Sequence, residues 1–241
     1  WGAGFFAVVL LAAVVRFAGL ADFPPGLQLD EASIAFNAYL VSATGMDEAG
    51  QAAPLYPQSS WNPKHPVYFY VSVASVGLLG LDEFSARAPA AVFGVLAVIA
   101  VYYLAFELFQ SRHISLAASF LLAVSPWHVH FSRFGIEASA APAVFSLALF
   151  LLLKGVRGRR WCLPAGGLAA GLAFYTYPVF MVFVPLFMVG FCLLYRREML
   201  DVPWWSAGAG AIVLVFLLPL ALGFFGGTEM DDYFREKSVF G

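Results

Sequence analysis

Long apolar runs, each closed by a short polar segment, repeat along this chain. Runs close to membrane-crossing length, about 20 mainly apolar residues, are predicted at Gly2–Leu20, Ala88–Phe109, Ile114–Phe131, Ala138–Leu153, Cys162–Tyr177, Val179–Tyr195 and Trp204–Phe225. An eighth run, Pro66–Leu81, is short and opens with Val67-Tyr68-Phe69-Tyr70-Val71. Between the first two spans Ala32, Ile34, Ala35, Ala38, Tyr39 and Val41 recur at roughly helical spacing. They predict a helix over Asp30–Thr44, with Asp30 at its N-cap or in its first turn. Gly45–Pro63, rich in Gly, Pro, Ser, Gln and Asn, predicts a mobile loop without regular structure.

Charge decides what Pro66–Leu81 does. If it does not span, one side of the membrane receives the short loops around Arg112, Lys154–Arg160 and Arg196-Arg197, which hold seven Lys/Arg. The other side receives Asp22, Asp30, Glu31, Asp47, Glu48, Asp82, Glu83, Glu137 and the acidic tail after Phe225, with only Lys64, Arg87 and Arg133 as cations. Cations favour the cytoplasmic face. If Pro66–Leu81 spans, the densest basic loops land outside, so an interfacial or re-entrant helix on the outer face is predicted. Tyr68, Tyr70, Ser72 and Ser75 give it the half-wet character of such a helix.

Composition agrees with an all-α polytopic membrane protein. Hydrophobic residues make up 61%, charged residues 12%, and mean hydropathy is +0.82, whereas a soluble domain carries roughly 25% charge. A net charge of −2 does nothing to suggest nucleic acid. Cys162 and Cys192 fall in apolar runs and read as buried free thiols. The chain opens inside an apolar run and ends on a polar stretch, Thr228–Gly241, which reads as a piece of something longer.

Candidate chemistry gathers on the outer face. Asp30 and Glu31 are adjacent acids just past the first span, costly at a bilayer rim unless they have a task or partners. Lys64 and His65 stand at the mouth of the interfacial helix, Arg87 at the entry to the next span, and His128, His130, Arg133 and Glu137 follow the third. Cations at the headgroup boundary suit a phosphate, and a carboxylate aimed at a hydroxyl or amine suits a general base. A lipid-phosphate donor entering sideways unites the two. His128 and His130, spaced i and i+2, share a face only on an extended segment, so they read as interfacial histidines and no metal is predicted. No phosphate-cradling Gly-rich loop suggests a nucleotide, and no cofactor is predicted.

These residues resemble a known pattern. Asp30-Glu31 after the first span resembles the acidic motif in the first loop of GT-C glycosyltransferases, and His65-Pro66 looks like the start of their second surface helix. Glu83-Phe84-Ser85-Ala86-Arg87-Ala88-Pro89 is similar to the start of their second span; Ser125-Pro126, Ser132-Arg133 and Glu137 are similar to the outer end of their third. Within that superfamily the chain resembles bacterial relatives of dolichyl-phosphate-mannose–protein mannosyltransferases and the lipid A aminoarabinose transferases. The resemblance covers most of the chain but only the N-terminal membrane module of such enzymes. It implies one GT-C-like module over 1–241, with about seven transmembrane helices and two interfacial helices in a first outer loop at 21–87. It also implies a multi-pass cell-membrane protein with its site facing outward. That site would move a sugar from a polyprenyl-phosphate donor to an acceptor protein or lipid, inverting the sugar carbon. Asp30 would be the base, Glu31 its neighbour in the site, and Lys64, His65 and Arg133 the donor-phosphate ligands. His65-Pro66-Val67 departs from the usual double proline and leaves the acceptor class open.

Plainer roles compete with each of these. Asp30 can be a helix cap, Glu31 a first-turn acid favoured by the helix dipole, Lys64 and His65 a solvated pair, and Arg133 a helix-end anchor. Arg16 reads as snorkelling or internally paired, Arg87 as an anchor, and the Lys154–Arg160 cluster as a topology signal before a lipid-headgroup site. The small residues Gly166, Gly167, Ala169, Ala170 and Gly171 predict close helix packing. A non-catalytic membrane subunit that keeps the scaffold for lipid binding or assembly with partner subunits is the alternative function. A transporter is weaker, because the acids cluster at one rim rather than at mid-membrane depth.

Overall fold

A computed structural model describes residues 2–58 and 63–225, with side chains as far as 219. Residues 59–62 of the Gly/Pro-rich loop, and the polar tail after Phe225, lie outside the described residues. Within them every regular element is a helix: α1 (Gly2–Phe17), α2 (Leu29–Thr44), α3 (Pro66–Leu79), α4 (Glu83–Phe109), α5 (Arg112–Val124), α6 (Pro126–Phe131), α7 (Ala140–Val156), α8 (Cys162–Phe174), α9 (Phe180–Leu194), α10 (Arg196–Leu200) and α11 (Pro203–Phe225). A 3-10 turn, Glu137–Ser139, leads into α7. By length and composition Glu83–Phe109 and Glu137–Val156 can each cross a membrane, while six further apolar helices are shorter.

The predicted span Ile114–Phe131 is broken in two. Proline has no N–H to donate and pushes the preceding residue out of the helical region. Ser125 accordingly sits at φ −59°, ψ 117°, closing α5, and Pro126 takes the first position of α6, where its missing N–H costs nothing. The start of α4 has the opposite logic. Asp82 caps it by accepting from the Ser85 N–H at 2.7 Å, while the Asp82 N–H is 3.1 Å from the Ser85 hydroxyl. The helix therefore starts at Glu83, one turn before the predicted Ala88.

Two packed layers build the bundle. Helix α4 packs against α1, α5 and α7, and α8 lies between α7 and α11. The small residues of α8 are what permits the second arrangement. A Cβ on Gly167 would stand 2.7 Å from the Ala209 carbonyl of α11, and one on Gly166 2.8 Å from Leu152 of α7. Helix α9 packs on α8 and reaches α7 through Phe180, Phe183 and Phe187, whose rings lie 5.1–5.6 Å from that of Phe145. Both cysteines are free; Cys162 is buried as expected, but Cys192 is exposed on α9, because that helix covers itself on one side only.

Helices α2 and α3 form a pair laid across one end of this bundle. The N-terminus of α3 is tied there by the His65 N–H, which donates to Glu137, and the Val67 N–H, which donates to the Tyr175 carbonyl at 3.3 Å. Farther along, Tyr68 and Ser75 donate to the carbonyls of Ala86 and Ser85, adjacent residues of α4. Seven helical residues cover about 10 Å, so α3 crosses α4 rather than running beside it. The four polar groups expected to be half-wet are spent on the protein. Besides Tyr68 and Ser75, Ser72 donates to the Tyr68 carbonyl and Tyr70 to the Pro54 carbonyl, while Val71, Leu78 and Leu79 are its exposed large apolar side chains.

The loop expected to lack structure is organised where it is described. Buried Asp47 accepts from the backbone N–H groups of Ala49, Gln51 and Gln58 at 2.8–3.1 Å. Asn37, buried on α2, donates to Glu48 and accepts from its N–H. Local side-chain acceptors thus replace the ladder the loop lacks.

The α8–α11 contact has a direct test. Gly167→Ala should lower stability by about 1–3 kcal/mol through overpacking, seen as a lower thermal midpoint in detergent. Gly190→Ala on α9, whose added methyl meets nothing within 4 Å, should cost no more than about 0.5 kcal/mol.

Candidate functional site

The site grows from the first turn of α2. Its N-cap is Gln28, so Asp30 is a first-turn acid rather than the cap. Successive residues of a helix point about 100° apart, and the two adjacent acids therefore meet different surroundings. Glu31 turns inward and is fully buried; Asp30 turns outward, its side chain 65% exposed.

Glu31 is saturated with donors. Its Oε1 accepts from Arg87 Nε at 3.0 Å and from the Gly135 N–H at 2.7 Å; its Oε2 accepts from the Gln28 N–H at 2.9 Å and from Arg87 Nη2 at 3.3 Å. Arg87 uses its remaining N–H bonds on the link between α1 and α2, donating to the carbonyls of Leu20, Pro24 and Gly26. All five guanidinium donors are thus satisfied. Gly135 is required at its place, since a Cβ there would stand 2.7 Å from the Ala86 carbonyl.

Arg133 has a parallel task. Its guanidinium donates to the carbonyls of Val15, Arg16, Ala18, Gly19 and Phe23, at 2.9–3.1 Å. The last carbonyls of a helix have no partner within it, and Arg133 supplies one for the end of α1. Arg16 is buried and internally paired, to the carbonyls of Ala12, Ala123 and Leu122 and to His128 Nδ1 at 2.7 Å. An arginine has only protons to give, so His128 Nδ1 is the acceptor and its imidazole is neutral. His130 turns elsewhere, onto the rings of Phe131 and Phe134.

Asp30 and Lys64 are brought together from 34 residues apart: Nζ stands 3.0 Å from Oδ1. The whole Lys64 side chain is buried, 3% exposed, and its N–H is fixed by the Pro57 carbonyl at 2.9 Å. His65 follows it, buried, with Tyr56 edge-on at 5.8 Å. Of the five candidates, then, Asp30 and Lys64 meet directly and His65 is buried next to Lys64 in the chain, while Glu31 and Arg133 are committed to internal partners. Sequence reasoning named Glu137 but gave it no role; it accepts the His65 N–H and so holds the Lys64–His65 segment. It also underrated Arg87. The signal was available in both cases: an ionisable residue beside or inside an apolar run must have a partner.

From Pro66, the residue after His65, begins the lining of an apolar cavity of about 530 Å³. Leu55, Pro66, Val67 and Tyr70 form one wall, and Leu172, Tyr175, Val215, Phe216 and Pro219 the other. Tyr175 keeps its hydroxyl out of the cavity's apolar lining by donating to the Phe216 carbonyl at 2.6 Å.

Comparison with known proteins bears on this arrangement. Residues 62–222 match the family model for dolichyl-phosphate-mannose-protein mannosyltransferase. The fold is similar to ArnT from Cupriavidus metallidurans in the apo state, with a TM-score of 0.72 and 23% identity over 95% of this chain and 43% of that one. It is equally similar to the same protein bound to undecaprenyl phosphate, with a TM-score of 0.71 and 24% identity over 98% and 43%. The chain thus spans less than half the length of the structures it matches. The likeness establishes the expected GT-C membrane fold. No curated protein matches the sequence.

The buried pair sets a clear expectation. Glu31→Gln leaves a guanidinium short of its counter-charge and should cost about 3–5 kcal/mol, seen as a large fall in the thermal midpoint. Replacing both partners, as Glu31→Leu with Arg87→Met, should cost less than the two single changes summed.

Proposed function

Given that this chain belongs to the dolichyl-phosphate-mannose-protein mannosyltransferase family, we propose that it forms the N-terminal membrane module of a glycosyltransferase. That enzyme moves a sugar from a polyprenyl-phosphate donor to an acceptor at the outer face of a cell membrane. The observation that carries the proposal is the pairing of exposed Asp30 with buried Lys64, 3.0 Å apart. A base that works on an incoming acceptor needs access, and a phosphate ligand needs a fixed charge; one contact offers both.

In this mechanism the donor phosphate takes Lys64 away from Asp30. The freed carboxylate accepts the acceptor's proton as its oxygen or nitrogen attacks the anomeric carbon. The bond from that carbon to the phosphate oxygen breaks, its electron pair leaves with the phosphate, and attack from the far side inverts the centre. His65 lines the phosphate side. Glu31 is the inner support that aims Asp30, and Arg133 holds the end of α1, so neither touches the donor. The apolar cavity beginning at Pro66 takes the first part of the prenyl chain. A polyprenyl phosphate bound to one of the matched structures supports that class of lipid.

The path of α3 supports the orientation. Both of its ends meet the Asp30 end of the bundle, as expected for a helix lying on a membrane surface; α2 and α3 are then the two interfacial helices. The Lys/Arg-rich turns between α4 and α5 and between α7 and α8 fall at the opposite end, which the charge rule puts in the cytoplasm.

The test uses the full-length protein in liposomes with synthetic polyprenyl-phosphate sugars. Asp30→Asn should lower kcat by about 10²–10⁴-fold, the usual contribution of a general base, with an unchanged thermal midpoint. Retention of a tenth of the rate would remove Asp30 from the chemistry. Lys64→Met should raise KM for the donor more than it lowers kcat, and Lys64→Arg should recover part of the loss. Val215→Trp, which fills the cavity, should weaken long-chain donors more than single-isoprene ones. A folded protein that transfers nothing from any donor but still retains polyprenyl phosphate would leave the binding subunit as the function.

A further inference from the structure

Seven cations gather at the end of the bundle away from Asp30, and they are not equivalent. Arg112 stands as a lone exposed arginine at the first position of α5, and Arg196 and Arg197 on α10 share that short segment with Glu198 and Asp201. Arg157 is spent: it donates to the backbone carbonyl and the carboxylate of Glu107, fastening the α7–α8 turn to the end of α4. Lys154 lies with its ammonium 4.6 Å over the ring of Phe150. Arg159 and Arg160 are exposed, and among the described residues neither guanidinium has an ion-pair partner.

The backbone beneath these two is fixed. The Arg159 N–H donates to the Lys154 carbonyl at 3.1 Å, and the carbonyls of Arg159 and Arg160 accept from Cys162 and Leu163 at 2.8 and 3.0 Å, the first turn of α8. Gly158, at φ +121°, takes the left-handed position that lets the chain reverse. Trp161 follows, 59% exposed, and Trp204 at the start of α11 is 87% exposed on the same end. Aromatic side chains of this kind sit at headgroup level, and Arg159 and Arg160 directly precede Trp161 in the chain.

We propose that the α7–α8 turn binds the phosphate of an anionic phospholipid in the leaflet opposite the Asp30 site, with Arg159 and Arg160 as its ligands. Guanidinium groups bind phosphate oxygens bidentately, and Lys154 adds charge beside them. The turn binds through its backbone-fixed pair, not through the general positive charge of this face. The proposal does not depend on sugar transfer, and its readout is lipid retention.

The experiment presents the full-length protein in nanodiscs with phosphatidylglycerol and phosphatidylcholine in equal amounts, and measures bound lipid by native mass spectrometry after release. Wild type should retain phosphatidylglycerol at least fivefold over phosphatidylcholine. Arg159→Gln with Arg160→Gln should bring that preference below twofold, while Arg196→Gln with Arg197→Gln, an equal loss of charge at the same end, should leave it within twofold of wild type. Equal losses in the two variants, no preference in wild type, or a preference that survives the first variant would each overturn the proposal. So would displacement of the lipid by millimolar inorganic phosphate, which would mark a site for soluble anions. If the first variant fails to fold, quenching of the Trp161 signal (wild type minus Trp161→Phe) by acyl-brominated phosphatidylglycerol against brominated phosphatidylcholine decides. Stronger quenching by the anionic lipid supports the site, and equal quenching overturns it.

Discussion

A carboxylate and a guanidinium with no solvent exposure, Glu31 and Arg87, fix the end of the molecule where the candidate chemistry lies. Burying two charges carries a desolvation cost of several kcal/mol per ion, recovered only when geometry and further hydrogen bonds are good. Here every guanidinium N–H and both carboxylate oxygens are engaged. The partners lie on α2, on α4, on the link that joins α1 to α2, and on the segment that leads into α7. One ion pair thus determines how four parts of the chain meet.

The adjacency of Asp30 and Glu31 follows from the same constraint. A residue that points into a fixed network holds its neighbour, a third of a helical turn away, pointing out of it. Glu31 locks α2 in rotation about its own axis, and that rotation delivers Asp30 to the side where Lys64 arrives. The sequence order acid-acid is then a mechanical arrangement: one carboxylate anchors and the other is presented. Lys64 is placed with equal care, through its own N–H, through Glu137 acting on the next residue, and through a buried side chain. A buried, backbone-fixed lysine presents its charge with little freedom to move.

Much of the bundle was legible in the residues, because spans are set by composition over about 20 positions and that signal is local. The helix at Asp30–Thr44 was legible from its period, and the existence of α3 from its apolar run. The break at Pro126 follows from a local rule too, but apolar length outweighed it in the sequence reading of Ile114–Phe131. What stayed hidden was partner choice. Arg133 meets carbonyls 110–118 residues away, Arg87 meets Glu31 across 56, and Gly135 meets Glu31 across 104. An arginine near a helix end in sequence reads alike whether it faces a lipid phosphate or another helix's last carbonyls. The polar groups of α3 misled for a similar reason, since a serine or tyrosine on a surface helix can satisfy itself on water or on a neighbouring backbone.

The arginines show how the chain manages charge in a membrane setting. Arg16, Arg87 and Arg133 are held mainly by backbone carbonyls, with a single carboxylate among their partners. Carbonyls at helix ends and in the α1–α2 link are already present, already oriented and lacking donors, so an arginine satisfied by them needs no second buried charge. Among the described residues Asp30 is a carboxylate that is both exposed and paired with a lysine. At the opposite end the same economy leaves Arg159 and Arg160 over, where the helices turn back and backbone N–H groups have taken the local carbonyls. Which ionisable groups remain for ligands is decided by where the helix ends run out of unpaired carbonyls, and that is a property of the whole bundle rather than of any one motif.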